Sequence, residues 1–174
     1  MVKSAPGGKN TALKIIIPAL IVLTIAGIWA VKNLPRRNDE SPDYALEADE
    51  NTDIEKLKSY GLPIIIEFGA EWCGPCQIMA PIIRKLNEDT RGKAIVKYCD
   101  TDENPGFASR YNFQYIPTQL FINADGTPFN PPDAAAREIV VHQNQQTGLP
   151  DYTTHTGTLT EQELMDILKE MGMK

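Results

Sequence analysis

An uninterrupted apolar run lies near the start of the chain. Seventeen consecutive positions, Ile15–Val31, carry no charge, and a lysine flanks the run at each end. As a helix the run measures about 25 Å, close to the hydrocarbon thickness of a bilayer at roughly 27–30 Å. A buried core helix is disfavoured because the proline- and acid-rich residues that follow leave the run isolated. The pattern predicts one transmembrane helix over residues 15–33, after an N-terminal tail of residues 1–14.

An uncleaved signal anchor is the favoured interpretation of this helix. A cleaved signal peptide is the alternative, but Ile28-Trp29-Ala30 is a poor match to a small-x-small cleavage site. Three basic residues lie on each side of the run, so the positive-inside rule does not decide the orientation. The short N-terminal tail is typical of signal anchors and favours a domain outside the cytoplasm.

Residues 34–52 have the composition of an extended linker. Six acidic side chains and two prolines fall within this stretch. Segments of this kind bury too little apolar surface to fold and stay extended. We therefore predict an acidic flexible linker over residues 34–52 and a folded domain over residues 53–174.

Apolar runs and helical patterns alternate along the folded domain. The strands are predicted at Pro63–Phe68, Ala94–Asp100 and Thr118–Ile122. The helices are predicted at Asp53–Tyr60, Cys73 to about Thr90, near Pro105–Tyr111 and at Thr160–Met171. Strands separated by helices indicate an α/β fold with a central sheet flanked by helices, and about 120 residues are enough for one core.

Two of the three cysteines lie in the stretch Trp72-Cys73-Gly74-Pro75-Cys76, at the start of a predicted helix. A free thiol has a pKa of about 8.5, and a helix N-terminus favours the reactive thiolate. Cys76 lies one helical turn after Cys73, close enough to close a disulfide with it. The pair predicts a redox-active dithiol, with Cys73 as the exposed nucleophile and Cys76 as the buried resolving thiol.

Three other uses of such a cysteine pair are disfavoured. A structural zinc site needs four ligands, and Cys99, His142 and His155 lack ligand spacing. Covalent haem attachment needs a histidine after the second cysteine, where this chain has Gln77. A purely structural disulfide would close too short a loop to stabilise the fold much. We predict no metal and no cofactor beyond the redox-active disulfide.

Five landmarks, in order along the chain, resemble the thioredoxin family. They are Glu67–Cys76, Met79–Ile82, Asp102–Pro105, Tyr115–Thr118 and Gly157–Thr160. The resemblance covers most of the chain, from about Asp53 to Met173. It implies a thioredoxin fold with a central mixed sheet, and thiol-disulfide oxidoreductase activity.

Glu67 matches the position of a buried acid in thioredoxins, six residues before the first cysteine. The resemblance implies that it passes a proton to or from Cys76. Desolvation would raise its pKa toward the range of a general base. The alternative is that Glu67 turns out to solvent at a strand end.

The resemblance also implies a substrate-binding surface beside the dithiol. It implies a cis bond between Ile116 and Pro117, which would expose the Ile116 backbone for strand-like pairing with a substrate. Trp72 is expected to form a docking and shielding surface, with Gly74 and Pro75 between the cysteines. The Gly-Pro sequence between the cysteines resembles that of the reducing members of the family rather than that of the oxidising ones.

The strand at residues 94–100 departs from the family pattern. Ungapped alignment puts Tyr98 where many thioredoxins have a lysine near the buried acid. Lys97 falls one residue earlier, on the opposite face of the strand, so it is not expected to pair with Glu67. Cys99 is expected to be a small strand residue rather than a second redox group.

Residues 129–150 add length that a minimal thioredoxin lacks. Ile139–Val141 is a candidate strand within this insertion, and Tyr152–Thr156 is the alternative for the last strand of the sheet. His142 and His155 are expected in surface or loop positions. The insertion either selects partners or decorates the hairpin.

The predicted function is a membrane-tethered thiol-disulfide oxidoreductase that reduces protein disulfides outside the cytoplasm of a bacterium. The resemblance suggests apocytochrome c thiols or mispaired cysteines as substrates and a membrane thiol relay as electron donor. A disulfide oxidase or isomerase of the same fold, or a non-catalytic binding and assembly module, is the alternative. The formal net charge of −6 gives no support for nucleic-acid binding. We expect the domain to be monomeric.

Overall fold

The computed structural model describes Thr24 and residues 42–174, and its strands follow the apolar runs of the sequence. Five strands are described: β1 (Ile64–Gly69), β2 (Ile95–Asp100), β3 (Thr118–Ile122), β4 (Ile139–Gln143) and β5 (Pro150–Thr156). The three predicted strands are present within one residue of their predicted bounds. All residues of β1 and β3 are buried, as is typical of strands covered on both faces.

Four helices are described in the same region, and they also lie where the sequence predicts them. They are α1 (Ile54–Lys58), α2 (Gly74–Asp89), α3 (Pro105–Ala108) and α4 (Glu161–Glu170). Side-chain caps fix two of their starts. Asp53 caps α1, and Thr160 with Glu163 forms a capping box on α4.

The strands form one mixed sheet in the order β2-β1-β3-β5-β4. β1 and β2 are parallel, and the other neighbouring pairs are antiparallel. The central mixed sheet flanked by helices confirms the predicted thioredoxin fold for the domain.

The sheet separates two apolar clusters, one on each face. Ile65 points to the face packed by α2 and α4 through residues such as Met79 and Leu164. Its neighbours Ile64 and Ile66 point to the opposite face. Glu67 follows the alternation of β1 and therefore lies on the face of Ile65, beneath α2. This places an acid inside the core.

The prediction of a flexible linker reaching Thr52 is corrected by the structure. Ala48 is buried, and its backbone N–H donates to the Tyr98 carbonyl at 2.7 Å. The Tyr98 N–H donates in turn to the carbonyl of Leu46 at 2.6 Å. The segment thus pairs with the edge of β2, and its apolar side chains Tyr44, Leu46 and Ala48 pack against the clusters on the two faces of the sheet. The folded part begins before Asp53.

The side chain of Lys97 on β2 also holds this segment, through the backbone of residues 45–47. Its ammonium donates to the carbonyl oxygens of Ala45 at 2.8 Å and Glu47 at 3.2 Å. Burial lowers the pKa of Lys97, and these bonds to backbone dipoles help to hold its charged form. Lys97 does not approach Glu67, as predicted.

The two candidate strands in and after the insertion both exist. β4 pairs antiparallel with β5, and β5 pairs with β3 as the last strand of the core sheet. The insertion therefore adds an edge strand to the sheet. A 3₁₀ turn at Ala134–Arg137 leads into β4.

The predicted transmembrane helix at 15–33 lies outside the described residues, apart from Thr24, as do the tail and the start of the linker. In the part of the chain that the structure describes, no helix has the length and apolar character needed to cross a membrane.

Candidate active site

A disulfide joins Cys73 and Cys76 at the N-terminus of α2, with the two Cα atoms 5.2 Å apart. Cys73 is the N-cap of the helix, and the Cys76 backbone N–H points at its sulfur over 3.2 Å. Gly74 and Pro75 form the first turn, where the missing N–H of proline costs no helical hydrogen bond. A Cβ on Gly74 would meet no atom within 4 Å, so this turn faces open space.

The two cysteine residues differ less in exposure than predicted. Cys73 is 5% exposed and Cys76 1% exposed. Cys73 is the outer residue of the pair, but it is not the exposed side chain that we expected, because it packs against Ala70 and Ile116.

A cis peptide bond between Ile116 and Pro117 places the Ile116 carbonyl oxygen 3.7 Å from the Cys73 sulfur. A disulfide sulfur has no hydrogen to donate, so this is a contact here. In the dithiol form, the Cys73 thiol is placed to donate to that oxygen. The loop before β3 thus contacts the cysteine pair, as predicted.

Two exposed aromatic side chains flank the disulfide. Trp72 is 70% exposed, and its indole N–H donates to Asp102 at 2.7 Å, which fixes the orientation of the ring. Tyr115, which precedes the Ile116–Pro117 bond, is 71% exposed. Tyr115 belongs to the landmark Tyr115–Thr118 but was not predicted as a site residue, although an aromatic residue directly before Ile-Pro was a usable signal.

Glu67 is fully buried on β1 rather than turned to solvent. Burial raises its pKa to about 8. Gln119, its direct partner on β3, lowers that pKa in part by favouring the carboxylate. Neither carboxylate oxygen has a partner within hydrogen-bond distance among the described residues, so this compensation is weak.

Tyr98 occupies space that Gly69 leaves open beside Cys76. A Cβ on Gly69 would lie 3.0 Å from the Tyr98 hydroxyl and 3.3 Å from the Cys76 Cβ. The phenol therefore packs against the strand end next to Cys76, and burial raises its pKa to about 12. A cavity of about 400 Å³ borders both side chains.

The other cysteine and the histidines lie away from the disulfide. Cys99 is buried on the opposite face of β2, and burial raises its pKa to about 12, so it remains a thiol at neutral pH. His142 lies on β4 and stacks on Tyr152. The expectation of a surface or loop position is wrong for His155, which is 6% exposed on β5 with its Nδ1 2.6 Å from Gln119.

Comparison with known proteins agrees with this geometry. The Thioredoxin family model matches residues 46–145. Over 93 residues the chain is 39% identical to the chloroplastic M-type thioredoxin of Spinacia oleracea, covering 53% of this chain and 45% of that protein. It is 40% identical over 79 residues to a thioredoxin of Chlorobaculum thiosulfatiphilum, covering 45% and 72% of the two proteins.

A solved structure shares the same fold. A mutant thioredoxin from Halobacterium salinarum NRC-1 superposes with a TM-score of 0.51 and 27% identity, over 75% of this chain and 93% of that one. The fold and the disulfide-forming pair, with these relatives, define a thiol-disulfide oxidoreductase. The chain belongs to the thioredoxin family.

Proposed function

We propose that this protein reduces disulfides in other proteins through the Cys73–Cys76 pair. The observation that carries the proposal is the Cys76 N–H aimed at the Cys73 sulfur, at the start of a 16-residue helix. That amide and the helix dipole stabilise a thiolate at Cys73 in the reduced form. A thiolate is the species that attacks a disulfide.

The reaction proceeds in two exchange steps. The Cys73 thiolate attacks one substrate sulfur, forming a mixed disulfide and releasing the other substrate sulfur, which takes up a proton. The Cys76 thiolate then attacks the Cys73 sulfur, forming the Cys73–Cys76 disulfide and releasing the second substrate thiol. The substrate gains two electrons and two protons: the cysteine pair supplies both electrons and the Cys76 proton, and the solvent supplies the other proton because Cys73 enters as a thiolate.

Glu67 is proposed to accept the Cys76 proton in the second step. Three features support this role: burial on the face of β1 beneath α2, a pKa raised to about 8, and the lack of a competing partner for its oxygens among the described residues. An acid of that strength is close to the acidity of a thiol, which is the condition for efficient proton transfer.

The surface around the disulfide is suited to an extended peptide. Trp72 and Tyr115 offer exposed apolar faces, and the Ile116 carbonyl oxygen lies 3.7 Å from the Cys73 sulfur. A substrate strand that pairs with Ile116 would bring its own disulfide to Cys73. We propose that Trp72, Gly74, Pro75, Ile116 and Pro117 bind the substrate.

Residues 15–33 are proposed to tether the domain to a membrane, with the domain outside the cytoplasm. The support for the tether is the uncharged run Ile15–Val31, which as a helix comes close to the thickness of a bilayer. In that location the oxidised pair would be reduced again by a membrane-bound dithiol. Such a dithiol gives up two electrons and two protons and becomes a disulfide.

Replacing Cys76 by serine tests the reductase proposal. The variant should accumulate mixed disulfides with its substrates, because Cys73 still attacks and no thiol resolves the product. The full chain is expressed in bacteria, free thiols are blocked with acid and alkylation, and adducts are resolved on non-reducing gels. The matched control, C73S/C76S, should capture nothing. An equal set of adducts in both variants, or none with Cys76→Ser, contradicts the proposal.

Carbonate extraction and protease digestion of intact spheroplasts test the tether and its orientation. The full chain should stay with the membrane, and added protease should digest the domain without lysis. The matched control, Ile21→Lys, puts a charge into the apolar run and should release the protein from the membrane. Extraction of the unaltered chain by carbonate would exclude the tether, and digestion only after lysis would reverse the orientation.

A further inference from the structure

Four polar side chains form a row across the sheet beneath the active-site helix. Tyr98, Glu67, Gln119 and His155 lie on β2, β1, β3 and β5, and each is the direct cross-strand partner of the next. Direct partners point to the same face of a sheet with neighbouring strands about 4.8 Å apart. We call these four residues the polar row. Its three members other than Tyr98 are buried.

The Gln119 amide is held in one orientation by two hydrogen bonds. Its Oε1 lies 2.6 Å from His155 Nδ1, and its Nε2 donates to the carbonyl of Gly157 at 3.0 Å. Because an amide oxygen only accepts, His155 carries its proton on Nδ1 and donates it. The Nε2 atom has two hydrogens, and the Gly157 carbonyl uses one. The second is left for the neighbouring Glu67 carboxylate.

Among the described residues, no hydrogen bond and no nearby cation offsets the cost of burying a charge on Glu67. Its oxygens have no partner within hydrogen-bond distance among the described residues, and the cation on β2, Lys97, points to the other face toward backbone carbonyls. The other titratable groups on its side of the sheet include Tyr98 and His155 of the polar row, and Cys76, which is a thiol only in the reduced form. When Glu67 ionises, the polarised N–H of Gln119 is therefore the group placed to respond.

We propose that Gln119, held by His155, is a positioning residue that sets the pH at which Glu67 gives up its proton. The inference rests on the proposed role of Glu67 as the proton acceptor for Cys76. Through Glu67, the two residues would set the pH dependence of the resolving step.

His155 is suited to hold Gln119 without adding charge to the core. Burial lowers its pKa and keeps the ring neutral, although Glu138 and Glu163 raise that pKa in part. A cavity of about 420 Å³ borders the ring, and Arg137 and Asp166 also line it. The ring thus links the polar row to a surface region lined by charged side chains.

The test follows the Glu67 carboxyl carbon by NMR titration of the oxidised, full-length protein in detergent, with the signal assigned from Glu67→Gln. In Gln119→Leu the midpoint should move upward by about one pH unit or more, because the neighbouring N–H that can respond to the ionised carboxylate is lost. The control Phe121→Leu, two residues along the same face, should leave the midpoint unchanged. An unchanged midpoint in Gln119→Leu overturns the proposal.

A second pair of variants keeps the test decisive if Gln119→Leu does not fold. His155→Leu removes the donor to Gln119 and should also raise the midpoint, whereas His155→Asn retains an N–H donor and should restore it. Equal midpoints in His155→Leu and His155→Asn overturn the role of His155. The titration needs no catalysis. A shifted midpoint with an unshifted pH profile for release of the mixed disulfide supports the positioning role and refutes the proposed proton transfer by Glu67.

Discussion

Serine in place of Cys73 should abolish disulfide reduction by the full-length protein. A hydroxyl is far less acidic than a thiol and cannot form a mixed disulfide, so both exchange steps are lost. Loss of a catalytic nucleophile lowers rates by roughly three orders of magnitude or more. Serine is also a good N-cap, so the start of α2 should be preserved. Reduction of insulin with dithiothreitol as electron source measures the effect as precipitation of the released chain.

Cys99→Ala is the matched control for this substitution. Cys99 is buried on the opposite face of the sheet, and its thiol stays protonated at neutral pH. Activity should therefore remain close to that of the unaltered protein. Retention of insulin reduction by Cys73→Ser, or its loss in a folded Cys99→Ala, would contradict the assignment of the nucleophile.

The fold was largely predictable because its main signals are local. The strand Thr118–Ile122 has the predicted bounds, and the helix that Thr160 caps lies within one residue of its predicted bounds at each end. Each is specified by apolar periodicity and a start or stop residue within a few positions. The position of Glu67 in the core followed from its place in an apolar strand run together with the family resemblance.

The misplaced linker boundary has a non-local cause. Acidic composition predicts an extended chain, and the sequence of residues 42–52 satisfies that criterion. The segment folds because the edge of β2 offers backbone partners to Leu46 and Ala48, and because Lys97 reaches its carbonyls. Lys97 and Ala45 are 52 residues apart along the sequence, so no local pattern could reveal the contact.

The polar row was missed for a similar reason. Gln119 and His155 are 36 residues apart, and only strand pairing places them side by side. In the sequence, Gln119 is one polar residue in an apolar strand and His155 lies in a run of threonines. The insertion hid the pairing, because two candidate strands competed for the place beside β3.

Glutamine in place of Glu67 should make the protein more stable at alkaline pH while it slows the resolving step. The folded pKa is about 8, against 4.5 for an unburied glutamate. Between these values the folded state binds one proton more than the unfolded state. The free energy of unfolding therefore falls as the pH rises from about 4.5 to about 8, and is then constant with respect to this group. Glutamine at residue 67 does not titrate, so the variant does not lose this part of the free energy of unfolding as the pH rises.

Urea unfolding at pH 5 and pH 9 measures the difference. At pH 5 the two proteins should differ by no more than about 1 kcal/mol, and at pH 9 Glu67→Gln should be more stable by about 3–5 kcal/mol. Glu71→Gln, an exposed acid four residues along, should leave the pH dependence unchanged. Equal stability of the unaltered protein and Glu67→Gln at pH 9 would contradict this prediction. It would mean that other groups in the core offset the cost of burying the carboxylate. Burial without compensation both destabilises the fold and gives Glu67 a proton affinity near that of a thiol.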